Sequence, residues 1–482
     1  MALPSSAHRL SPAPEETAQS GSDRAPGTPR ARLFARVKGI LTDRSENRLA
    51  QLVAGKVFLV RAFSALLALG TQVLLARWMG SRQYGLFIYV WTWVLMIGAL
   101  SDVGLSSAAR RFIPEYTELK SPELLRGFLS GSRKLAFAIA TAIGALGAIV
   151  ISLIQPHLDP SEVVPLYLAC ATIPVYGLVQ TQAGIAQSYD WPNLALMPFY
   201  IWRQLGMVGL MGAAWYFGAP TSAVTAMLAA VATTWLVTLA QSQVLDRRLK
   251  VKVEDGLKRH DVKTWLATSL PIFVVESFYL LLTYVDILAL EHLRSPDEVA
   301  VYYAGARLLA MVAFVYFAIA GATTHKFTKY HVAGDAEKLK SFFAETARWT
   351  FWPSLAACAV ILAFGKPLLS LFGSNFESGY GVMFILAIGM LARAAVGTAE
   401  RLLNMLGDRK QCAGVYALAF AVNLVLCFLL IPHIGIEGAA AATSAALVIE
   451  SALLYRMAKK RLGHHLFLMQ SGKKPEQLHS GG

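Results

Sequence analysis

Residues 57–78, VFLVRAFSALLALGTQVLLARW, form an apolar run of membrane-spanning length with an arginine, Arg61, in its first half. About 20 residues at a rise of 1.5 Å each cross a hydrocarbon core. In lipid the backbone must satisfy its own hydrogen bonds, so such a run has to be helical. A cation at that depth costs at least about 2.5–3.5 kcal/mol on the mildest scales. Arg61 must therefore face a partner, a wet cavity or an anionic ligand.

The run is one of many. Of 482 residues, 55% are hydrophobic and 15% charged, whereas soluble domains are about 25% charged. Twelve apolar segments fall near 53–78, 84–109, 127–155, 163–187, 195–218, 221–245, 264–290, 298–324, 348–372, 380–406, 411–431 and 437–458. The expected fold is an all-α polytopic membrane protein of about twelve transmembrane helices. Pro174, Pro198, Pro271 and Pro353 sit inside segments and are expected to kink them. The four cysteines lie in or beside apolar segments, with neither metal-ligand spacing nor a disulfide pattern.

Residues 1–30 are rich in Pro, Ser, Ala and Gly and read as disordered. No apolar core follows Met1, so a cleaved signal peptide is not expected. In 31–41, ARLFARVKGIL, Leu33, Phe34, Val37, Ile40 and Leu41 share one helical face, with Arg32, Arg36 and Lys38 off it. That suits a helix on an anionic leaflet, or else a short solvated helix.

The net charge of +14 invites a nucleic-acid reading, but its distribution argues for topology. With both termini cytoplasmic, 32 of the 44 Lys and Arg fall on inner segments. Four (Arg77, Arg82, Arg294 and Lys366) fall outside and eight within spans. That bias is a positive-inside signal that makes the basic blocks cytoplasmic loops, and nucleic acid drops out as a partner. The expected division is a cytoplasmic tail at 1–52, a six-helix lobe at 53–246, and a basic linker at 247–263. A second six-helix lobe at 264–460 and a cytoplasmic tail at 461–482 complete it.

The lobes echo each other. Gln83-Tyr84-Gly85-Leu86-Phe87 opens helix 2, and Glu298-Val299-Ala300-Val301-Tyr302 opens helix 8 at an offset of 215. The same offset sets Glu276 on Arg61. GIAQSYDWPN (184–193) and RLLNMLGDRK (401–410) end helices 4 and 10. A six-plus-six duplication keeps each helix's direction, so two parallel repeats face each other across a central cavity. Helices 1 and 7 line it as symmetry mates.

The run at 74–116, with Gly80 followed by Tyr84-Gly85-Leu86-Phe87 and then Asp102-x-Gly104-Leu105, resembles the opening of bacterial polysaccharide flippases. These are the Wzx-like O-antigen and exopolysaccharide translocases of the multidrug/oligosaccharidyl-lipid/polysaccharide (MOP) exporter superfamily. Asp286, Tyr303-x-x-x-Arg307 and Gly407-Asp408-Arg409-Lys410 are similar to the pattern of the second half. The resemblance covers 53–460 and leaves the N-terminal tail unread. It implies two six-helix lobes with alternating access. It also implies an undecaprenyl-pyrophosphate-linked oligosaccharide as substrate, with polysaccharide polymerase or chain-length machinery as possible partners.

Such a substrate needs a polar route for its pyrophosphate and sugars, with arginines to hold the anion through their bidentate fork. Arg61, Arg203 and Arg393 are the candidate anion ligands, with Glu276 setting their electrostatics. Arg61 could equally pair with Glu276 or Asp102. Asp286, Arg307 and Asp102 are candidates for coupling or gating; an Asp286–Arg307 salt bridge and a capping role for Asp102 are the plainer readings. Coupling to a proton or sodium gradient would use Glu276 or Asp286. Tyr89, Trp91, Trp93, Phe278, Tyr279 and Tyr284 could stack on sugars or simply pack.

The chain has no GxxxxGK[ST] and no HExxH, and His464-His465 lacks metal-site spacing, so no cofactor, metal or catalytic residue is expected. The rivals are a multidrug exporter of the same superfamily, a membrane-embedded polymerase or ligase, and a non-transporting scaffold of a polysaccharide assembly complex. A cavity rich in arginine disfavours cationic drugs. The short outer loops disfavour the enzyme.

Overall fold

Gly80 divides the first long helix in two. The computed structural model describes residues 46–462 except 317, 320–322, 324–326, 328, 329, 331 and 332, with side chains from residue 60 onward save 336. The segment at 31–41, most of the N-terminal tail and residues 463–482 lie outside the described residues. Helix α1 (Glu46–Leu100) has a single non-helical residue, Gly80, at φ 73° and ψ 167°. A Cβ disfavours that region, so glycine fits. Tyr84 Oη donates to Gln72 Oε1 at 2.9 Å. Twelve residues of straight helix would hold these groups about 18 Å apart, so α1 folds back into a hairpin.

The helices α2 (Leu105–Glu118), α3 (Pro122–Ile154) and α4 (Pro160–Ser188) follow. Next come α5 (Pro192–Tyr216), α6 (Ala223–Lys252), α7 (Val262–Leu293) and α8 (Pro296–Tyr316). Helices α9 (Ala336–Ala363), α10 (Tyr380–Val396), α11 (Ala399–Met405) and α12 (Arg409–Leu462) complete the chain. Helix α12 is broken at Ile434 and Gly435 and is a second hairpin. A Cβ on Gly438 would lie 2.7 Å from the Leu430 carbonyl oxygen, which a straight rod forbids. The described residues contain no strand.

Nine stretches among the described residues are long and apolar enough to cross a membrane. Two of these, Val60–Glu118 and Arg409–Arg461, contain the hairpins. With each hairpin taken as two crossings and α9 added, the helices carry the twelve expected segments, and the protein is a multi-pass membrane protein. The ninth segment, expected at 348–372, ends sooner. Helix α9 stops at Ala363 and a short helix, Gly365–Ser370, restarts around Pro367, whose ring cannot continue the first helix. Pro198 opens a π-helical turn, Pro198–Trp202, within α5, where its missing N–H loosens the ladder.

Three buried apolar clusters set the architecture. The largest joins both halves of the chain, from Leu75, Tyr84 and Trp91 to Leu290, Tyr302, Met383 and Ala442. A second lies almost wholly in the first half, from Leu105 and Phe112 to Leu249, with Trp265 of α7 added. A third, from Leu282 and Phe343 to Tyr416 and Ala458, belongs to the second half. The halves are therefore packed together at the hairpin end and have separate cores at the end carrying the basic loops.

The hairpin end is sealed by polar contacts as well. Ser81 Oγ donates to Asp297 Oδ1. Arg77 donates through Nε to the Leu371 carbonyl and through Nη2 to that of Ser370, each at 2.7 Å. Tyr84 packs edge-on against Tyr303 and Phe376. Gly85 allows the closest approach, since a Cβ there would lie 1.8 Å from the Pro296 carbonyl oxygen. Gly85→Val is thus expected to pry this end open, at an overpacking cost of about 1–3 kcal/mol. Faster thiol labelling of an introduced Ala304→Cys would report it, and unchanged labelling would contradict this account of the seal.

Candidate functional site

Between the two separate cores lies a cavity of about 820 Å³, near the upper end of the roughly 300–1,000 Å³ usual for small-molecule sites. Among the described residues its walls come from seven helices, with Ser354 the contribution of α9. Arg110 enters from α2, Glu276 and Tyr279 from α7, and Tyr316 from α8. Arg393 comes from α10, while Glu400, Arg401 and Asn404 come from α11, and Arg409 opens α12. Four guanidinium groups thus face two carboxylates. Gly397 (φ 59°) makes the turn between α10 and α11, and Arg393 before it and Glu400 after it both line the cavity.

Arg393 is the best-defined cation of the wall. Its guanidinium lies 5.4 Å from the Tyr279 ring centroid, and Nη2 is 3.4 Å from Glu450 Oε1. The Arg393 side chain is 36% exposed, towards the cavity, and that of Glu450 is 1% exposed. Glu276 is held differently. Ser107 Oγ donates to Glu276 Oε1 at 2.8 Å, and Arg110 Nη2 donates to the same Ser107 Oγ at 2.8 Å. A polar chain therefore runs from α7 to α2.

The other expected site residues fall in separate places. Arg61 is exposed on α1 and is not among the residues lining the cavity. Arg203 is half-buried at the π-turn of α5, 4.8 Å from the Trp91 ring centroid and 4.3 Å from that of Phe199. Such stacking offsets part of a guanidinium's desolvation. Arg307 of α8 is its neighbour, with Tyr176, Tyr200, Tyr284 and Tyr303 around the two. This aromatic cluster contains residues of both halves, beyond the cavity and toward the sealed end.

Asp286 faces Tyr302 and Thr443 rather than Arg307. Tyr302 Oη donates to Asp286 Oδ2 at 2.5 Å and Thr443 Oγ1 donates at 3.1 Å. Asp102 accepts from the backbone N–H of Gly104 and of Ser106, each at 3.0 Å, and so caps α2. Among the described residues no three His, Cys, Asp or Glu side chains converge as a metal would need.

Sequence reasoning passed over Arg110, Arg409 and Glu450 as site residues. The first two look like ordinary members of basic loops, and only the tertiary fold turns them into the cavity. Glu450 did leave a signal, as the lone charge in the apolar stretch between Glu437 and Arg456.

A family model described as polysaccharide biosynthesis protein matches residues 55–325. The chain belongs to that family. A second model, MatE, matches residues 271–429. No curated protein matches the chain. Among solved structures, a lipid II flippase MurJ in an inward closed conformation superimposes with a TM-score of 0.66. Identity is 14%, covering 84% of this chain and 87% of that one. An inward-facing multidrug resistance MATE family transporter of the MOP superfamily gives 0.64 at 16% identity, covering 89% of this chain and 98% of that one. A MOP superfamily transporter from Pyrococcus furiosus, described as having a binding pocket of reverse polarity, gives 0.61 at 13% identity, covering 86% and 96%. This member of the polysaccharide biosynthesis protein family therefore has the MOP transporter fold, as the resemblance at 74–116 implied.

At the basic end, outside the spans, Arg461 donates through Nε to Asp408 Oδ2 at 2.7 Å and through Nη2 to Oδ1 at 2.5 Å. These hydrogen bonds hold the Asp408 carboxyl below the usual carboxylate range. The pair's contribution is present above the unfolded value of about 3.9 and is lost as pH falls through the lower folded value. Arg461→Ala is expected to lower the melting temperature slightly near neutral pH and to leave it unchanged in strong acid. Thermal unfolding in detergent across pH checks this; a loss that persists in acid would contradict it.

Proposed function

We propose that this protein flips undecaprenyl-pyrophosphate-linked oligosaccharide repeat units from the cytoplasmic to the periplasmic leaflet of a bacterial inner membrane, by alternating access. The observation that carries the reading is the cationic cavity, open between the two halves at the basic end and sealed at the other, in a member of the polysaccharide biosynthesis protein family. The polyprenyl tail stays in lipid while pyrophosphate and sugars occupy the polar space. Arg61, exposed toward the basic end of α1, meets the anion as it arrives. Arg393, with Arg110, Arg401 and Arg409, holds it, and Glu276 limits the field so that the anion can leave. Arg203 and Arg307, among their tyrosines, take it over as the sealed end opens and the other closes. Asp102 holds the bend that ends in α2. Asp286, with Tyr302 and Thr443, or Glu276, is the carboxylate through which a proton or sodium gradient could act.

The proposed lobes are 53–246 and 264–460, joined by the basic linker, with both termini cytoplasmic. Charge supports that orientation. The MatE match keeps multidrug export as the second reading, but four arginines against two carboxylates suit an anion better than a cationic drug. A scaffold that transports nothing would tolerate loss of the cavity arginines.

In a strain lacking the protein, mass spectrometry of carrier lipids is expected to show a completed repeat unit accumulating, with surface polymer lost. Arg393→Ala and Arg61→Ala are each expected to fail to restore polymer. An unchanged carrier-lipid pool with altered drug susceptibility would overturn the proposal in favour of multidrug export. Alkaline phosphatase fused after residue 295 is expected to be active, and after residue 256 inactive; the opposite pattern would reverse the orientation.

A further inference from the structure

Glu450 is a carboxylate that the anion-binding account leaves unused. It sits on the second arm of the α12 hairpin, where neither carboxylate oxygen has a hydrogen-bond partner. The Arg393 guanidinium, at 3.4 Å, is its cationic partner. Beside it lies a space of about 20 Å³ lined by Tyr316, Arg393, Glu400, Glu450 and Ser451, among others. That volume suffices for one water. Tyr316, Arg393 and Glu400 also line the large cavity, so among the described residues these three side chains form the shared partition. The charged groups facing Glu450 are Arg393 and Glu400; Tyr279 and Tyr416 flank Arg393.

Arg393 thus has a buried carboxylate on one side and the cavity on the other. An anion entering the cavity competes with Glu450 for the same guanidinium. An Arg393 that turns to the anion leaves Glu450 as an uncompensated charge in the protein interior, a state that a carboxyl group escapes by binding a proton. The water-sized space beside it, parted from the cavity by Tyr316, Arg393 and Glu400, has room for a water to pass the proton once Arg393 moves.

We infer that Glu450 is a proton site tied to the substrate: it takes up a proton when a pyrophosphate draws Arg393 into the cavity, and gives it back when the anion leaves and the ion pair re-forms. The carboxylate becomes a carboxylic acid, the proton comes from cavity water, and no other bond changes. This rests on the proposed anion site and deepens it. Glu450 is a positioning residue, since it touches Arg393 and not the substrate.

The test uses the purified full chain and a short-chain polyprenyl-diphospho-sugar, a pyrophosphate diester with no titrating group of its own near neutral pH. Calorimetry in buffers of different ionisation enthalpy counts the protons exchanged on binding. The wild type is expected to take up protons, with affinity strengthening as pH falls by up to about tenfold per unit for one coupled proton. Glu450→Gln should bind with that uptake abolished and a flat pH profile. Ligand-induced difference infrared spectra of the wild type should gain a protonated-carboxyl band. Glu450→Asp, which retains a titrating group, should keep the band if the Gln variant does not fold. Binding without proton uptake, or undiminished uptake in Glu450→Gln, overturns the inference and leaves the flippase reading standing. Failure of the wild type to bind the probe overturns the flippase reading and the inference with it.

Discussion

The cost of a charge in hydrocarbon governs this molecule. Every guanidinium and carboxylate within a span must find water, a partner or an aromatic face. The structure uses all three. Arg393 has Glu450, the Tyr279 ring and a wet wall. Arg203 has Trp91 and Phe199, and Asp286 has two hydroxyl donors. Once these groups are turned inward, the space between the two halves becomes a polar path through an apolar protein.

A path used for transport must be closed at one end, and the closure here rests on fit rather than on strong bonds. The Ser81–Asp297 contact and the bonds from Arg77 to main-chain carbonyls are few. They lie beside an apolar cluster continuous across both halves, where glycine at position 85 lets helix meet helix. An interface of that kind can part without breaking a network of buried ion pairs. At the other end, separate cores for the two halves leave room for an 820 Å³ cavity.

Much of this could be read from composition and periodicity. Twelve apolar segments correspond to helices because segment length and lipid leave no alternative. Of the four prolines expected to kink their helices, Pro198 opens a π-helical turn, whereas the breaks at Gly80 and Gly435 were not anticipated and the stop at Ala363 depended on how the chain restarts around Pro367. Site residues were less legible. Arg393 and Glu276 stood out as charges in apolar runs and both line the cavity. Arg61 stood out for the same reason and lies elsewhere. Arg110 and Arg409 were hidden among topogenic charges. Asp286 and Arg307 lie on consecutive helices, yet the side chains of Tyr302 and Thr443 occupy the space at the carboxylate.

By itself, the sequence determined that this chain is a bundle of membrane helices and that its few intramembrane charges need partners. Those are consequences of local composition acting against a fixed solvent, and they need no knowledge of which helix touches which. The tertiary structure alone decided the partners. Pairing Arg393 with Glu450 joins residues 57 positions apart, and the Ser107–Glu276 contact spans 169. A charge requires compensation from any direction, so the requirement is legible in one dimension. The direction from which it comes is set by how helices pack in three.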